Sequence, residues 1–374
     1  MTLLLECSIE GSSHAYPIEI KEGMLKESTL AQRLVKWGER FAIIADSVVA
    51  SLFGKQMQAL LLAQGLEAFL FSFPAGESSK SREIKEQLEN QMFEQGLGKD
   101  TCLIALGGGV SLDLGGYLAA TYCRGIPLVM IPTSLLAMVD ASIGGKNGVN
   151  VPYGKNLIGC FKQPEMVCID PIVLKTLPQK EFRNGIVEMI KHGFIADAAH
   201  IDYLTKHAQA FQSLSLEIVK KAIWDSCRIK QEIVEQDPHE KGKRRLLNFG
   251  HTVGHALELL TGFSLPHGEA VAIGMLTESY VAVELGYLDR KVLELMHALL
   301  KAFSLPFILP TPIYPQDMMR AMELDKKSQK KLPRIVLLQD IGVPLSCHSE
   351  YCAAVDEKIF MNALHWMNDA LCCH

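Results

Sequence analysis

The chain has 374 residues, 48% hydrophobic and 21% charged, with a formal net charge of −5. That is enough apolar material for two domains with substantial cores. The weakly acidic balance excludes a chain-wide basic field for nucleic acid or an acidic membrane face, so any anionic ligand must be held by local cations.

The opening Met1-Thr2-Leu3-Leu4-Leu5-Glu6 has no basic n-region, and an acid ends its apolar run, unlike a secretory signal. Up to about Leu177, short apolar runs alternate with helix-like segments: 40–45, 70–73, 101–106 and 127–132. This is the pattern of a mostly parallel, Rossmann-like α/β sheet. The most apolar stretch, 126–139, carries Pro127 and Pro132 and falls short of the roughly 20 residues a membrane span needs, so it reads as buried core. After Pro178 long amphipathic stretches dominate, at 186–194, 216–234, 251–260 and 268–285, with 334–338 as one strand-like insertion. We therefore expect an α/β domain over 1–177 and a mainly helical domain over 178–374. The boundary sits at a proline that restricts the residue before it. Ten cysteines are scattered without a Cys-x-x-Cys pair, which fits a reduced, cytoplasmic protein. The terminal Cys372-Cys373-His374 reads as a frayed end rather than a site.

Within this frame, Asp46 ends the run 41–45, where an acid suits either a ribose diol or a helix N-cap. Gly107-Gly108-Gly109 follows the run 101–106, and such a turn lets backbone amides and a helix N-terminus approach a diphosphate. Leu112 stands where the last glycine of G-x-G-x-x-G belongs, so the ordinary dinucleotide fingerprint is absent and a plain tight turn stays open. Farther on, 139–159 reads as a long polar, glycine-rich loop in which Lys146 and Lys155 suit an anion. Glu188 and Lys191 lie three apart, either as a simple helical pair or as a metal ligand beside a substrate cation. His251 and His255 lie four apart, a spacing that puts two imidazoles on one helical face. Thr252 rules out the H-E-x-x-H arrangement. On the residues alone, Glu188, His267 and Glu269 are candidates to complete a metal site with that pair, against satisfied core or surface histidines.

Taken together, Gly107-Gly108-Gly109-Val110-x-x-Asp113, Pro132-Thr133-Ser134-Leu135-Leu136-x-x-Val139-Asp140, Gly144-Gly145-Lys146, Gly154-Lys155-Asn156-Leu157-Ile158-Gly159, Glu188-x-x-Lys191, Leu247-Asn248-Phe249-Gly250-His251-Thr252-x-Gly254-His255 and His267-Gly268-Glu269-Ala270-Val271 resemble the 3-dehydroquinate synthase family, in its order, from about residue 40 to at least Lys327. The resemblance implies a homodimer with NAD in the N-terminal domain, a divalent metal, Zn2+ or Co2+, in the C-terminal one, and substrate between them. It assigns Glu188, His251 and His267 to the metal and turns His255 toward substrate, removing Glu269. It implies NAD contacts from Asp46, Glu77, Lys80, Gly108, Gly109, Asp113, Thr133, Asp140, Lys146 and Lys155. The implied substrate contacts are Asp140, Lys146, Asn156, Lys191, Lys230, Glu240, Arg244, Asn248, His255 and Lys326 or Lys327, with Arg124 reaching across the dimer. The chain departs from the family's frequent residues at Ser47 and at Asn147-Gly148.

The implied reaction turns 3-deoxy-D-arabino-heptulosonate 7-phosphate into 3-dehydroquinate and phosphate, a step toward chorismate in the shikimate pathway. Two rival readings share the fold. A sugar-phosphate cyclase for substrates without a carboxylate is expected to lack part of the set Lys230, Arg244 and Asn248, all present here. A metal-dependent polyol dehydrogenase has no need of so many cations and consumes NAD stoichiometrically. A catalytically dead binding protein is expected to show losses among the ligands and lysines, and none is seen.

Overall fold

The structure is a computed structural model and describes residues 2–9, 15–323, 333–346 and 350–372. The chain forms two compact units, Met1–Phe182 and Arg183–His374. The division falls within the first turn of the helix Gln179–Ala196.

Among the described residues unit 1 has nine strands: β1 (Leu3–Ser8), β2 (Ala15–Ile20), β3 (Arg40–Asp46), β4 (Glu67–Phe73), β5 (Thr101–Gly107), β6 (Leu128–Pro132), β7 (Lys146–Val151), β8 (Gly154–Phe161) and β9 (Met166–Ile169). Seven form one sheet in the order β1-β2-β9-β6-β5-β3-β4. The β1/β2 pair is antiparallel and every other pair is parallel. The central strands β5, β6 and β9 are buried along their whole length. Both of their faces are covered, and so they read as unbroken apolar runs. At the edge, β1 alternates exposed with less exposed residues, as a half-solvated strand does. Gly107 ends β5 level with Pro132 of β6, and Asp46 ends the neighbouring β3. The strand ends therefore gather at one edge of the sheet, where ligands of open α/β sheets bind.

The segment 139–159 is more ordered than a loop. It enters a short helical turn, Ala137–Ala141, and then the β7/β8 hairpin. Gly148 pairs with Gly159, and a Cβ on Gly148 would lie 2.6 Å from the Ile158 carbonyl. Glycine on both sides of the pair lets the two backbones close up, which a reading by polarity alone does not see.

Unit 2 holds the helices Gln179–Ala196, Ala198–Gln212, Leu216–Gln236, His251–Leu260, His267–Glu284, Arg290–Ala302, Pro315–Glu323 and Glu357–Leu371. The helix His267–Glu284 is buried almost all round and forms the centre of the unit. The run 334–338, expected as one strand, is two short ones. Arg334–Ile335 pairs with Ala353–Ala354, and Leu338–Asp340 pairs with Val343–Pro344, with buried Val336 and Leu337 between them. Among the described residues no helix is long and apolar enough to cross a membrane.

Cys102 in β5, Cys168 in β9 and Cys227 in the Leu216–Gln236 helix are free thiols with no exposure. Burial pushes all three up, Cys227 to about 12. Thiolate is the reactive form, so iodoacetamide at about pH 8 is expected to spare these three in the native protein, to modify the half-buried Cys123 and Cys352, and to reach all of them in urea. Peptide mass spectrometry reads the result, and labelling of the buried three before unfolding would contradict their placement.

Candidate active site

The metal-type cluster of unit 2 starts from two helices packed backbone to backbone. Gly250, at φ +77°, precedes the helix His251–Leu260. Its carbonyl lies 1.9 Å from where a Cβ on Gly274 would stand, so only glycine fits opposite it. Buried Glu278 accepts the Gly250 amide at 2.9 Å and fixes this helix start. The close approach brings the rings of His251 and His267 to 5.3 Å between centroids.

Each imidazole is oriented by its Nδ1. His251 Nδ1 lies 3.1 Å from the Phe249 carbonyl, and His267 Nδ1 lies 3.3 Å from Glu258 Oε2. Carbonyl and carboxylate can only accept, so each Nδ1 carries the hydrogen and each Nε2 is left for another partner. Both Nε2 atoms face Glu188 Oε1, at 3.6 and 3.7 Å. The ligand atoms of Glu188, His251 and His267 all lie within 4.8 Å of one another. Glu188 is fully buried, and neither of its oxygens accepts a well-aligned hydrogen bond. The ammonium of Lys191 pairs with it and also donates to the Leu247 carbonyl at 2.8 Å. One carboxylate and two Nε2 atoms, with oriented outer partners, fit a catalytic zinc-type ion.

The electrostatics agree with that fit. Burial works to raise Glu188, but Lys191 and the two histidines outweigh it and hold the carboxyl well below its ordinary range. Burial and then the Lys191 ammonium hold His251 well below its usual value, so its Nε2 offers a lone pair. Burial also opposes the charge on His267, but Glu188 and Glu258 on either side push it up to about 10. The two carboxylates thus favour positive charge at His267, in the same anionic pocket that a metal would fill.

His255 lies one turn beyond His251, with ring centroids 5.3 Å from His251 and 6.4 Å from His267. It borders the cluster, but the converging ligand atoms are those of Glu188, His251 and His267, and Glu269 is not among them. Of the pair four residues apart, His251 joins the converging atoms and His255 flanks them.

Beyond the buried Lys230, the helix Leu216–Gln236 ends at Asp237. The Asp237 carboxylate accepts the amides of Lys241, Gly242 and Arg244 at 2.9, 2.7 and 3.0 Å. Burial works to raise this carboxyl, and the three amides more than offset it. The loop so held carries Glu240, whose carboxylate accepts from the Asn248 side-chain amide, and buried Arg244, which donates to the Pro238 carbonyl at 2.7 Å.

In unit 1, Gly107 adopts φ +150°, and a Cβ there would meet the Ser111 hydroxyl at 2.3 Å. The helix Gly109–Thr121 follows with Gly108 as its N-cap, and the Thr133 amide donates to the Gly107 carbonyl at 2.9 Å. Asp46 is an N-cap, since its Oδ1 accepts the Val48 and Val49 amides at 2.9 and 3.0 Å. Its Oδ2 nevertheless lies 3.6 Å from the Cβ position of Gly107 and so borders the glycine turn. Lys80, buried, pairs with Asp113 and donates to Asn156 Oδ1 at 2.5 Å. Burial pushes the Asp113 carboxyl up, and Lys80 offsets only part of that. Glu77 accepts from Asn150 at 2.8 Å. Asp140 lies on the turn Ala137–Ala141, exposed Lys146 opens β7, and Lys155 and Asn156 lie near the start of β8. Arg124 is exposed on a turn where Cys123 and Arg124 have φ of 49° and 67°. Lys326, Lys327, Cys373 and His374 lie outside the described residues.

Sequence reasoning missed Asp237, Glu258, Glu278 and Asn150. Glu258 left the clearest local signal, seven residues after His251 and three after His255, on their helical face.

The 3-dehydroquinate synthase N-terminal family model matches residues 70–184, and the C-terminal model matches 185–328. The 3-dehydroquinate synthase of Symbiobacterium thermophilum is 41% identical over 321 residues, 85% of this chain and 90% of that protein. That of Nostoc punctiforme is 40% identical over 346 residues, 92% and 95% of the two chains. The chain belongs to the 3-dehydroquinate synthase family. Among solved structures of its fold, a 2-epi-5-epi-valiolone synthase from Streptomyces hygroscopicus with NAD+ and Zn2+ bound is 29% identical, with a TM-score of 0.86 covering 96% of this chain and 98% of the other. A 2-deoxy-scyllo-inosose synthase complexed with carbaglucose-6-phosphate, NAD+ and Co2+ gives 0.87 at 22% identity, covering 98% and 100%.

Two outcomes follow from the outer partners. Glu258→Gln, which removes the charge behind His267, is expected to weaken Zn2+ binding by roughly 10–100-fold, measured by competition with a chromogenic chelator; unchanged affinity would deny Glu258 its orienting part. Asp237→Ala is expected to cost about 2 kcal/mol at neutral pH, read as a lower urea midpoint. Because the folded-state pKa of Asp237 is depressed, its contribution is present above the unfolded value near 4 and is lost as pH falls through the folded one. The difference between the two proteins should therefore shrink in acid.

Proposed function

We propose that the chain converts 3-deoxy-D-arabino-heptulosonate 7-phosphate to 3-dehydroquinate and phosphate, with NAD and a divalent metal, Zn2+ or Co2+, as cofactors. The observation that carries this reading is the buried Glu188 carboxylate facing two oriented Nε2 atoms and the Lys191 ammonium, in a chain of this family. When bound, the metal supplies Lewis acidity at the C5 hydroxyl and NAD supplies a hydride acceptor that is regenerated within the same turnover.

Glu188, His251 and His267 would hold the metal. Lys191, anchored on the Leu247 carbonyl, presents its cation beside them to a substrate oxygen. Lys230, Arg244 and Asn248 take the substrate carboxylate, and Glu240 holds the Asn248 amide in place. Asp46, Glu77, Lys80, Asp113, Asp140, Lys155 and Thr133, with the amides of Gly108 and Gly109, bind NAD. Lys146, Asn156 and the Arg124 of a second copy meet the phosphate end. A ketone at C5 acidifies the C6 hydrogen, so the C6–H and C7–O bonds break as the C6=C7 double bond forms and phosphate leaves. With the C5 carbonyl reduced again by the bound cofactor, the ring would open, and attack of the enol carbon on the C2 carbonyl would close the carbocycle. The leaving phosphate takes the C6 proton, and His255 moves the proton of the C5 hydroxyl. The oxidation is thus internal and no net NADH accumulates. The cytoplasmic setting and the homodimer rest on the family resemblance.

Release of phosphate from 3-deoxy-D-arabino-heptulosonate 7-phosphate, with substoichiometric NAD, sensitivity to a chelator and no net NADH, is the expected result. Release from sedoheptulose 7-phosphate alone would move the chain to the cyclases for substrates without a carboxylate, and stoichiometric NADH from a polyol would make it a dehydrogenase.

A further inference from the structure

Asn150 was assigned no role by any sequence motif, yet it makes three hydrogen bonds to segments that carry assigned residues. Its backbone amide donates to the Lys80 carbonyl at 2.8 Å. Its side-chain Nδ2 donates to Glu77 Oε1 at 2.8 Å. Its Oδ1 accepts the Asn156 amide at 3.0 Å. The ring closes because Lys80 Nζ donates to Asn156 Oδ1 at 2.5 Å while pairing with Asp113. Glu77 and Lys80 belong to one short helical turn and its cap, whereas Asn150 and Asn156 flank the tip of the β7/β8 hairpin. Asn156 sits at φ +55°, a left-handed conformation uncommon for L residues although asparagine tolerates it better than most, and local hydrogen bonds help to hold it there. The bond from Asn150 to its amide is one such restraint.

We infer that Asn150 is a positioning residue that couples the nucleotide-binding turn Glu77–Lys80 to the substrate-binding Asn156, so that NAD and the sugar phosphate bind cooperatively through it. The inference rests on the assignment of Glu77 and Lys80 to NAD and of Asn156 to substrate. A ligand that orders the Glu77–Lys80 turn also orders Asn150, and through it the left-handed Asn156. The ordering cost is then met once for two ligands, which is positive coupling without a large displacement. By reciprocity the sugar phosphate must tighten NAD by the same factor.

The test titrates NAD+ calorimetrically into the metal-loaded protein, with and without a saturating phosphonate isostere of 3-deoxy-D-arabino-heptulosonate 7-phosphate, whose C–P bond cannot release phosphate. In the wild type the isostere is expected to tighten NAD+ by about 5- to 20-fold, the range of ordinary site-to-site coupling. Asn150→Ala is expected to bring that ratio close to one while both ligands still bind singly. Asn150→Asp, which retains the acceptor for the Asn156 amide but loses the donor to Glu77, is expected to do the same, and it decides the matter if the alanine variant fails to fold. A wild-type ratio of one, or an undiminished ratio in a folded variant, overturns the inference. Failure of the wild type to bind NAD+ at all, or to release phosphate from the true substrate, would instead remove the functional reading beneath it.

Discussion

A carboxylate removed from water governs unit 2. Glu188 is fully buried, and an isolated buried charge is costly enough that it must be neutralised or surrounded by cations. Its surroundings are an ammonium one turn away and two imidazole Nε2 atoms supplied by other helices. Much of the unit's architecture serves that arrangement. Gly250 and Gly274 let two helices approach by backbone, Glu278 fixes the start of one of them, and Glu258 sets the ring of His267. The carboxylates of Glu188 and Glu258 flank His267 and push its pKa up, and the ligand atoms of Glu188, His251 and His267 converge in a geometry that fits a divalent ion.

Unit 1 solves a different problem by the same economy of backbone. The glycine turn after β5 leads into a helix start without the standard spacing of glycines, because close approach occurs at Gly107, where Ser111 fills the volume a side chain would take. Asp46 caps a helix and also borders the glycine turn. One oxygen organises the chain after β3, and the other borders the glycine turn. The polar residues around Lys80 form a closed set of hydrogen bonds rather than a row of independent contacts, so substitutions among Glu77, Lys80, Asn150 and Asn156 are not expected to be additive.

Outer partners mark the limit of reading by motif. Asp237 holds the loop that carries Glu240 and Arg244. Its only local sign is that it ends a helix and precedes a proline, which is common to many aspartates. Glu278 lies 28 residues from the amide it accepts, a separation at which no periodicity in the sequence is informative.

The alternation of apolar runs with helical segments, and the later amphipathic stretches, determined an α/β portion followed by a helical one, because burial on one face or two leaves its period in the chain. Residue type and order alone also singled out the His251/His255 pair with Glu188, His267 and Glu269 as candidates for a metal site, and the glycine turn as a place for phosphate; only the family resemblance narrowed the set to Glu188, His251 and His267. Local spacing could not divide His251 from His255, which look equivalent on one helix. That division depends on which ring faces Glu188, and so on how the helices His251–Leu260 and His267–Glu284 cross. The hairpin at 146–161, the two short strands within 334–340 and the hub at Asn150 were likewise settled only in three dimensions. Each depends on hydrogen bonds between residues distant in sequence, and such partners are chosen by the packing of the whole unit rather than by any local preference.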